Sequence, residues 1–494
     1  MTRVEHVHEA DASGAAPTHP WVRTLTVSYV PGKLDARLEW LVAPLLDWLR
    51  QNAHTVQADG PTDGTDLIIT TAIAGNPVER RDALFFQAKR LFKLSRRPHV
   101  LTLVSVPQVE YEMRLRQFRA LASSESKGAA LSFPGMGPEA IAVLRSQARR
   151  GPIVAFGRYL QTQVKSIRVV ALVGGDGPAP ERAIHFDLAG AHAETPAGPA
   201  AVFAKDVGRR IATQLSTHEV KEHEIVPDAV SAELWDNLKT PEAMVRAGPL
   251  FTEYGFFTDP VSVEKLLGFK GVSEVIAAQY SEGCYAAYDP DLGGLITTAT
   301  GSARLVDKRA ISPEDLAYVS GVRAGGDGAL VGTIDGRPVV VPSVEAVELR
   351  GICDAVSKIV ITNSQGEAVS VPAVRAILHG HVGVDAYNPK YVERITLDEP
   401  FYHYPVSCGT KALALGTAQA FARSQTLRDP NDPRKIVFLE QPCHGVLVAE
   451  KWTPGAEAFE TIHGSLQSKR LNVSQQVPQG PITWRESGNL VVKA

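Results

Sequence analysis

The stretches TLTVSYV (24–30) and LDARLEWLVAPLLDWLRQ (34–51) decide the fold class of this chain, because a run rich in β-branched residues leads into apolar residues at helical spacing. Strand and helix patterns continue to alternate after this helix. We predict a short strand at 54–58, a stronger strand TDLIITTAI (65–73), a helix at 80–94 and the strand HVLTLVSVP (99–107). Alternating strands and helices are typical of a parallel, doubly wound sheet. We therefore predict an α/β domain over residues 21–107, preceded by a flexible polar tail over residues 1–20.

A helical segment and a second α/β unit are predicted over residues 108–292. Helical spacing covers most of 109–165, and the strand patterns SIRVVALVGG (166–175) and RAIHFDLAG (182–190) lead to a helix at 200–215. The fold class predicted by these patterns is α/β, with two Rossmann-like α/β units followed by a β-rich C-terminal domain.

The β-rich domain is predicted over residues 293–494, where Gly and Pro punctuate short apolar runs. One inserted helix is expected at 410–424. The predicted strands are GLITTATGS (294–302), GALVGTI (328–334), RPVVVP (337–342), KIVITN (358–363), KIVFLEQ (435–441) and GVLVAEKW (445–452).

Composition narrows the class of function. The 494 residues carry 51 Lys and Arg against 54 Asp and Glu, a net charge of −3, which supplies no global field for nucleic acid or an anionic membrane. The four cysteines form no CxxC pair, and no apolar run reaches the roughly 18 residues of a membrane span. We expect a cytoplasmic protein with a small polar partner and no nucleic-acid or membrane partner, and homo-oligomerisation stays open.

Several motifs fail on spacing. His218 and His223 in HEVKEH are five residues apart, about 140° around a helix, whereas zinc-protease helices need histidines at i and i+4. The two GGDG stretches continue into no phosphate-binding pattern, and we expect hairpin turns there. No GxSxG motif supplies a serine nucleophile.

Histidines concentrate near the C-terminus, and clustered imidazoles favour metal binding and acid–base chemistry. His379 and His381 are two residues apart, so on a strand both would leave the same face. His403 precedes Cys408, whose thiol lies just before the predicted helix at 410–424, and His444 follows a strand. The alternative for His379 and for His381 is a surface or hydrogen-bonded core position beside a glycine.

Two glutamates are the acidic candidates. Glu253 lies in FTEYGF (251–256), and Glu282 in SEGCYAA (281–287) ends an apolar run. Carboxyl ends of buried α/β strands are where such sheets place ligand sites. A capping or turn-ordering glutamate is the alternative for Glu282.

The architecture and these two segments resemble the L-fucose and L-arabinose isomerase family. The resemblance implies that Glu253 and Glu282 are catalytic and hold a divalent metal, with Mn²⁺ favoured. One or two of the C-terminal histidines would complete the metal site, the candidates being His379, His381, His403 and His444. It further implies a metal-assisted isomerase that interconverts aldoses and ketoses without an organic cofactor.

Two rival functions follow from the same sequence. A thiol hydrolase or acyltransferase would use Cys408 with His403 or His444, since a helix N-terminus stabilises a thiolate. A non-catalytic sugar- or metabolite-binding protein could be built on the same α/β units.

Overall fold

The computed structural model describes residues 24–95, 98–123, 133, 136–186, 191–215, 223–257, 260–267, 283–300, 308–326, 328–380, 384–397, 411–441, 445–473, 482–484 and 490–492. The described chain is an α/β fold built on two large sheets. No helix among these residues is both long and apolar enough to cross a membrane.

The strands, in chain order, are β1 (Thr26–Tyr29), β2 (Thr55–Gln57), β3 (Leu67–Ile73), β4 (His99–Pro107), β5 (Arg168–Gly174), β6 (Arg182–Phe186), β7 (Ala191–Pro196), β8 (Glu224–Val230), β9 (Cys284–Asp289), β10 (Gly294–Thr298), β11 (Leu316–Val322), β12 (Ala329–Ile334), β13 (Lys358–Thr362), β14 (Ala368–Pro372), β15 (Val374–Gly380), β16 (Val384–Tyr387), β17 (Val392–Ile395), β18 (Ile436–Gln441), β19 (Gly445–Lys451), β20 (Leu471–Val473), β21 (Ile482–Trp484) and β22 (Leu490–Val492).

The α-helices are α1 (Ala36–Gln51), α2 (Leu84–Leu91), α3 (Gln108–Ser123), α4 (Pro138–Arg150), α5 (Pro152–Val164), α6 (Ala200–Leu215), α7 (Ala232–Asn237), α8 (Lys239–Glu253), α9 (Pro260–Leu267), α10 (Ala346–Ala355), α11 (Lys411–Ala422), α12 (Gln425–Arg428) and α13 (Glu460–Gln467). Short 3₁₀ turns occupy Arg80–Asp82, Lys308–Ala310 and Pro313–Asp315.

The N-terminal sheet has seven strands in the order β2-β1-β3-β4-β5-β6-β7. The first five of these are parallel, and β5, β6 and β7 pair antiparallel. Parallel strands are buried on both faces, which is why β3 and β4 are nearly continuous apolar runs. The predicted unit boundary after Pro107 falls between β4 and β5, which are neighbouring strands of this one sheet.

Helices cover both faces of the N-terminal sheet. α1 begins after Asp35, whose carboxylate accepts hydrogen bonds from the N–H groups of Arg37 and Leu38. The buried stripe of α1, including Leu41, packs with α6 against Ile69 and its neighbours. α2, α3, α4 and α5 cover the opposite face.

Helix α9 belongs to this N-terminal body although it follows α7 and α8 in the chain. Leu266 is buried in the same cluster as Phe156 of α5. Leu267 is buried in a second cluster with Ile68 of β3 and Val100 of β4. The N-terminal core is therefore completed by a segment that lies beyond residue 259.

The second sheet has nine strands in the order β17-β18-β19-β15-β9-β10-β11-β12-β8. Its pairs are antiparallel except at the two edges, where β17 pairs parallel with β18 and β8 with β12. One face, here called the α8 face, packs against α7, α8 and α13. The other, the α10 face, packs against α10, α11 and the β13–β14 hairpin.

Two predictions of local structure are corrected. RPVVVP (337–342) is not a strand: only Pro342 forms an isolated bridge, to Ala299, and Val339 and Val341 are exposed. Proline cannot donate to a strand ladder, which disfavours pairing of this segment. The helix predicted at 80–94 is a 3₁₀ turn followed by α2, because Ala83 between them is extended.

Candidate functional site

A buried polar cluster lies on the α10 face of the nine-stranded sheet, near the end of β15. His379, the penultimate residue of β15, is the register partner of Cys284, the first residue of β9. Alternation along a strand places both side chains on one face. We call this group the Glu345 cluster, and its members are Cys284, Ser343, Glu345, Glu348, His379, Thr417 and Gln441.

Two glutamates of the cluster enter from the start of α10. Glu345 is the N-cap residue of that helix and Glu348 lies in its first turn. The segment before α10 is fastened to β10, because Ser343 N–H donates to the Thr298 carbonyl at 3.0 Å. Both glutamates are fully buried, and ionisable side chains are rarely buried unless they are paired or functional.

Glu345 stands at the centre of the cluster. One of its carboxylate oxygens, Oε2, accepts hydrogen bonds from Cys284 Sγ at 3.3 Å and Ser343 Oγ at 2.9 Å. The other, Oε1, lies 3.4 Å from Nε2 of His379, which is also fully buried. The carboxylate therefore has an imidazole on one side and two hydrogen-bond donors on the other.

Glu348 is held in a different environment. Its Oε1 accepts hydrogen bonds from Thr417 Oγ1 at 2.6 Å and Gln441 Nε2 at 2.5 Å, and its Oε2 has no partner among the described residues. Burial raises the pKa of Glu348 to about 8, the charge of Glu345 adds to the rise, and the two hydrogen bonds oppose it. At neutral pH this carboxyl is mainly protonated.

The described thiols are poor nucleophiles. Burial, with the nearby Glu345 charge, raises the pKa of Cys284 well above its usual value. Burial raises the pKa of Cys353 to about 12. Both cysteines are free and buried, and a protonated thiol is a weak nucleophile.

His379 is the predicted site residue that the structure places in the Glu345 cluster. Glu253 lies exposed at the end of α8, whose buried residues pack on the α8 face, so the structure does not bring Glu253 and His379 to the same side of the sheet. The other predicted site residues lie outside the described ranges, namely Glu282, His381, His403, Cys408 and His444.

Glu345 and Glu348 were missed in the sequence. A usable signal was present, because these two acids are three residues apart in an otherwise apolar stretch, VPSVEAVELRGIC (341–353). Residues at i and i+3 share a helix face, and acids on a buried face indicate a polar site. Thr417 and Gln441 carry no comparable signal.

The cluster can perform acid–base chemistry. It combines an imidazole in contact with a carboxylate and a second carboxyl that is protonated near neutral pH. In active sites, two titratable groups whose environments separate their pKa values act as the acid and the base.

The donor types also bear on the predicted metal. Glu345 offers a carboxylate oxygen, a donor that suits Mn²⁺, and His379 offers an imidazole nitrogen. Within the part of the chain that the structure describes, no three His, Cys, Asp or Glu side chains are arranged to hold a metal ion.

Comparison of the chain with protein-family models, with curated proteins and with solved structures finds no match.

Proposed function

We propose that this chain is an enzyme that moves a proton between adjacent carbons of a small sugar, as an aldose–ketose isomerase does, at the Glu345 cluster. The observation that carries the proposal is the fully buried contact between Glu345 Oε1 and His379 Nε2, at 3.4 Å, beside a protonated Glu348. A purely apolar core at this position would avoid the cost of burying these groups.

The two groups would divide the reaction between them. The Glu345–His379 pair would accept the proton from C2 of an open-chain aldose, while Glu348 donates its proton to the C1 carbonyl oxygen, giving an enediol. Return of the first proton to C1, with the O2 proton passing to Glu348, would yield the ketose and restore both groups. The raised pKa of Glu348 supports its role as the acid at neutral pH.

A divalent cation, with Mn²⁺ preferred, belongs to the metal-assisted form of the proposal. Glu345 and His379 would then hold the cation, which would polarise the carbonyl and hydroxyl oxygens of the sugar, and the C2 proton would pass to a base other than this pair. These two side chains alone would not complete its coordination. Metal analysis of protein purified without chelator or affinity metal should then find about one divalent ion per chain, with Mn²⁺ preferred, because Glu345 and His379 form a single site.

The direct test follows loss of the C2 proton signal by NMR in D₂O, with L-fucose, L-arabinose, D-arabinose and D-glucose as the sugars. We expect wild-type protein to exchange at least one of these, and Glu345→Gln to lower the rate by about 10²–10⁴-fold, the usual worth of a general acid or base.

The matched control is Glu450→Gln. Glu450 is also fully buried, and burial raises its pKa to about 7, but it accepts hydrogen bonds from the N–H groups of Thr461 and Ile462 at the start of α13, on the α8 face. Its replacement should leave the exchange rate within about threefold of wild type, because Glu450 lies outside the Glu345 cluster and would take no part in proton transfer. No exchange of any of the four sugars by wild type, or equal losses in the two variants, would contradict the proposal.

A further inference from the structure

Two buried oxygen atoms of the Glu345 cluster have no hydrogen-bond partner among the described residues, and they belong to side chains that contact each other. The two atoms are Oε2 of Glu348 and Oε1 of Gln441. Glu348 is fully buried, and Gln441 is 2 % exposed. Buried polar atoms are normally hydrogen-bonded, so this pair of oxygens needs an explanation.

The fold brings the two side chains together from different elements. Gln441 ends β18, and Leu439, two residues earlier, is buried in the core of the α10 face. Alternation along the strand therefore places Gln441 on the same face. Glu348 reaches this place from the first turn of α10, and Thr417 reaches it from α11.

The hydrogen bonds that Glu348 already accepts decide where its proton can lie. Its Oε1 accepts from Thr417 Oγ1 at 2.6 Å and from Gln441 Nε2 at 2.5 Å. Each carboxyl oxygen has about two acceptor sites, so these two donors occupy Oε1. The proton of the neutral carboxyl therefore belongs on Oε2, which makes that oxygen a hydrogen-bond donor.

Gln441 Oε1 is the acceptor that such a donor needs. Each of the two unpartnered oxygens shares a carbon atom with one end of the 2.5 Å hydrogen bond between Gln441 and Glu348, so the two oxygens are neighbours. A single proton on Glu348 Oε2 would satisfy both of them. If Glu348 were ionised, both atoms would be acceptors without a donor, which is unfavourable in a buried site of low dielectric.

The surroundings of Glu348 also favour its neutral form. Burial raises the pKa of Glu348 to about 8, and the charge of Glu345, on the same helix, adds to this rise. His379 of β15 and Cys284 of β9 contact Glu345. The side chains that donate to Glu348 from α11 and β18 are uncharged.

We propose that Gln441 is a positioning residue that accepts the proton of neutral Glu348 at its Oε1 while its Nε2 donates to the other carboxyl oxygen, so that the acid proton is fixed on Glu348 Oε2. The hydrogen-bonded pair does not depend on catalysis, whereas the use of its proton rests on the proposed function. In that reaction, the carbonyl oxygen of the sugar would replace Gln441 as the acceptor of the proton.

Two variants that each remove a donor to Glu348 Oε1 test the proposal. Thr417→Val removes a donor alone and should raise the pKa of Glu348 by about 1, the usual worth of a hydrogen bond to a charged group. Gln441→Met removes a donor together with the acceptor of the acid proton. These two losses oppose each other, so the pKa of Glu348 should stay close to that of wild type or fall.

Infrared pH titration of the full chain measures this pKa through the C=O stretch of the protonated carboxyl. The band of Glu348 is assigned by its loss in Glu348→Gln, and the band of Glu450, another buried acid with a raised pKa, by its loss in Glu450→Gln. In Gln441→Met the Glu348 band should also move to higher frequency, because the O–H group loses its acceptor. Circular dichroism shows whether each variant is folded.

The exchange reaction in D₂O supplies a readout that a merely structural role would not move. The alkaline limb of the rate should follow the pKa of Glu348 in each variant, and so move to higher pH in Thr417→Val but not in Gln441→Met. A variant that had only lost structure would exchange more slowly at every pH and keep the limb of wild type.

Three results would overturn the proposal. The first is a pKa of Glu348 that rises as much in Gln441→Met as in Thr417→Val. The other two need only wild-type protein: no Glu348 band at pH 6, or a band at the frequency of a carboxylic acid whose O–H group is free. Failure of wild type to exchange any sugar would contradict the proposed function and not the pair, which the infrared titration decides by itself.

Discussion

Glu450 on the α8 face and Glu348 on the α10 face of the nine-stranded sheet are both buried carboxyl groups, and they have different neighbours. On the α8 face, Glu450 accepts two backbone N–H groups and completes the start of α13. On the α10 face, Glu348 accepts hydrogen bonds from two side chains, leaves one oxygen without a described partner, and lies in the same cluster as Glu345 and His379. Burial and a raised pKa are common to both, so the neighbours of a buried acid, and not its burial, indicate function.

The α8 face should depend most on ring packing. Phe251 is fully buried and packs edge-on against Tyr285 and Phe459, at centroid distances of 6.1 Å and 5.6 Å. Phe251→Ala should destabilise the protein by about 3–5 kcal/mol, because a large cavity replaces the ring. Urea denaturation measures this, and Leu415→Ala on the exposed side of α11 is the control, expected within about 0.5 kcal/mol. Equal losses would refute the assignment of the core.

The two carboxyls should make stability fall as pH rises. An acid whose pKa is higher in the folded than in the unfolded protein keeps its proton on folding, so the unfolded state loses protons first and stability declines between the two pKa values. The window runs from about 4.5 to about 8 for Glu348 and from about 4.5 to about 7 for Glu450.

Each variant should remove one part of that decline. Glu348→Gln should abolish the larger part, of the order of a few kcal/mol at about 1.4 kcal/mol per unit of pKa difference, and Glu450→Gln the smaller part. Unfolding free energies at pH 5, 7 and 9 provide the measurement. The prediction would be wrong if the wild-type protein were equally stable at pH 5 and pH 9, or if the unfolding free energies of the two variants changed with pH in the same way.

The smallest expected effect concerns the donor to Glu348. Thr417→Val removes the 2.6 Å hydrogen bond to Glu348 Oε1, which should cost about 1 kcal/mol and move the upper end of the pH-dependent decline to higher pH. Thr298→Val is the matched control, because its buried hydroxyl has no partner in the described chain, and it should leave that pH unchanged. A shift of equal size in both variants would show that Thr417 does not act through Glu348.

Local periodicity explains which parts of the fold could be predicted. β3 and β4 were predicted because strands buried on both faces are continuous apolar runs, and α11 because its apolar residues keep helical spacing. RPVVVP (337–342) has the composition of a strand, but its prolines cannot donate to a ladder. The pairing of β4 with β5 was beyond reach, since α3, α4 and α5 separate them in sequence.

The site depends even more on pairings that no local pattern contains. His379 was predicted from histidine spacing, but its partner Glu345 is on another element, and their contact depends on how α10 docks on the sheet. Gln441 reaches Glu348 because the carboxyl ends of β15 and β18, which both pair antiparallel with β19, lie at the same end of the sheet. The predicted metal ligands Glu282, His381, His403 and His444 lie outside the described residues and stay predictions.

Because α9 packs on the N-terminal sheet, the N-terminal body is built from two separate segments of the chain. An expression fragment that stops at residue 215 would contain all seven strands of the first sheet but would lack Leu266 and Leu267, which fill two of its buried clusters. Such a fragment would expose apolar surface at α5 and β3 and tend to aggregate. Halves of this protein are therefore better made by joining the α9 segment to the N-terminal piece through a short linker than by a single cut.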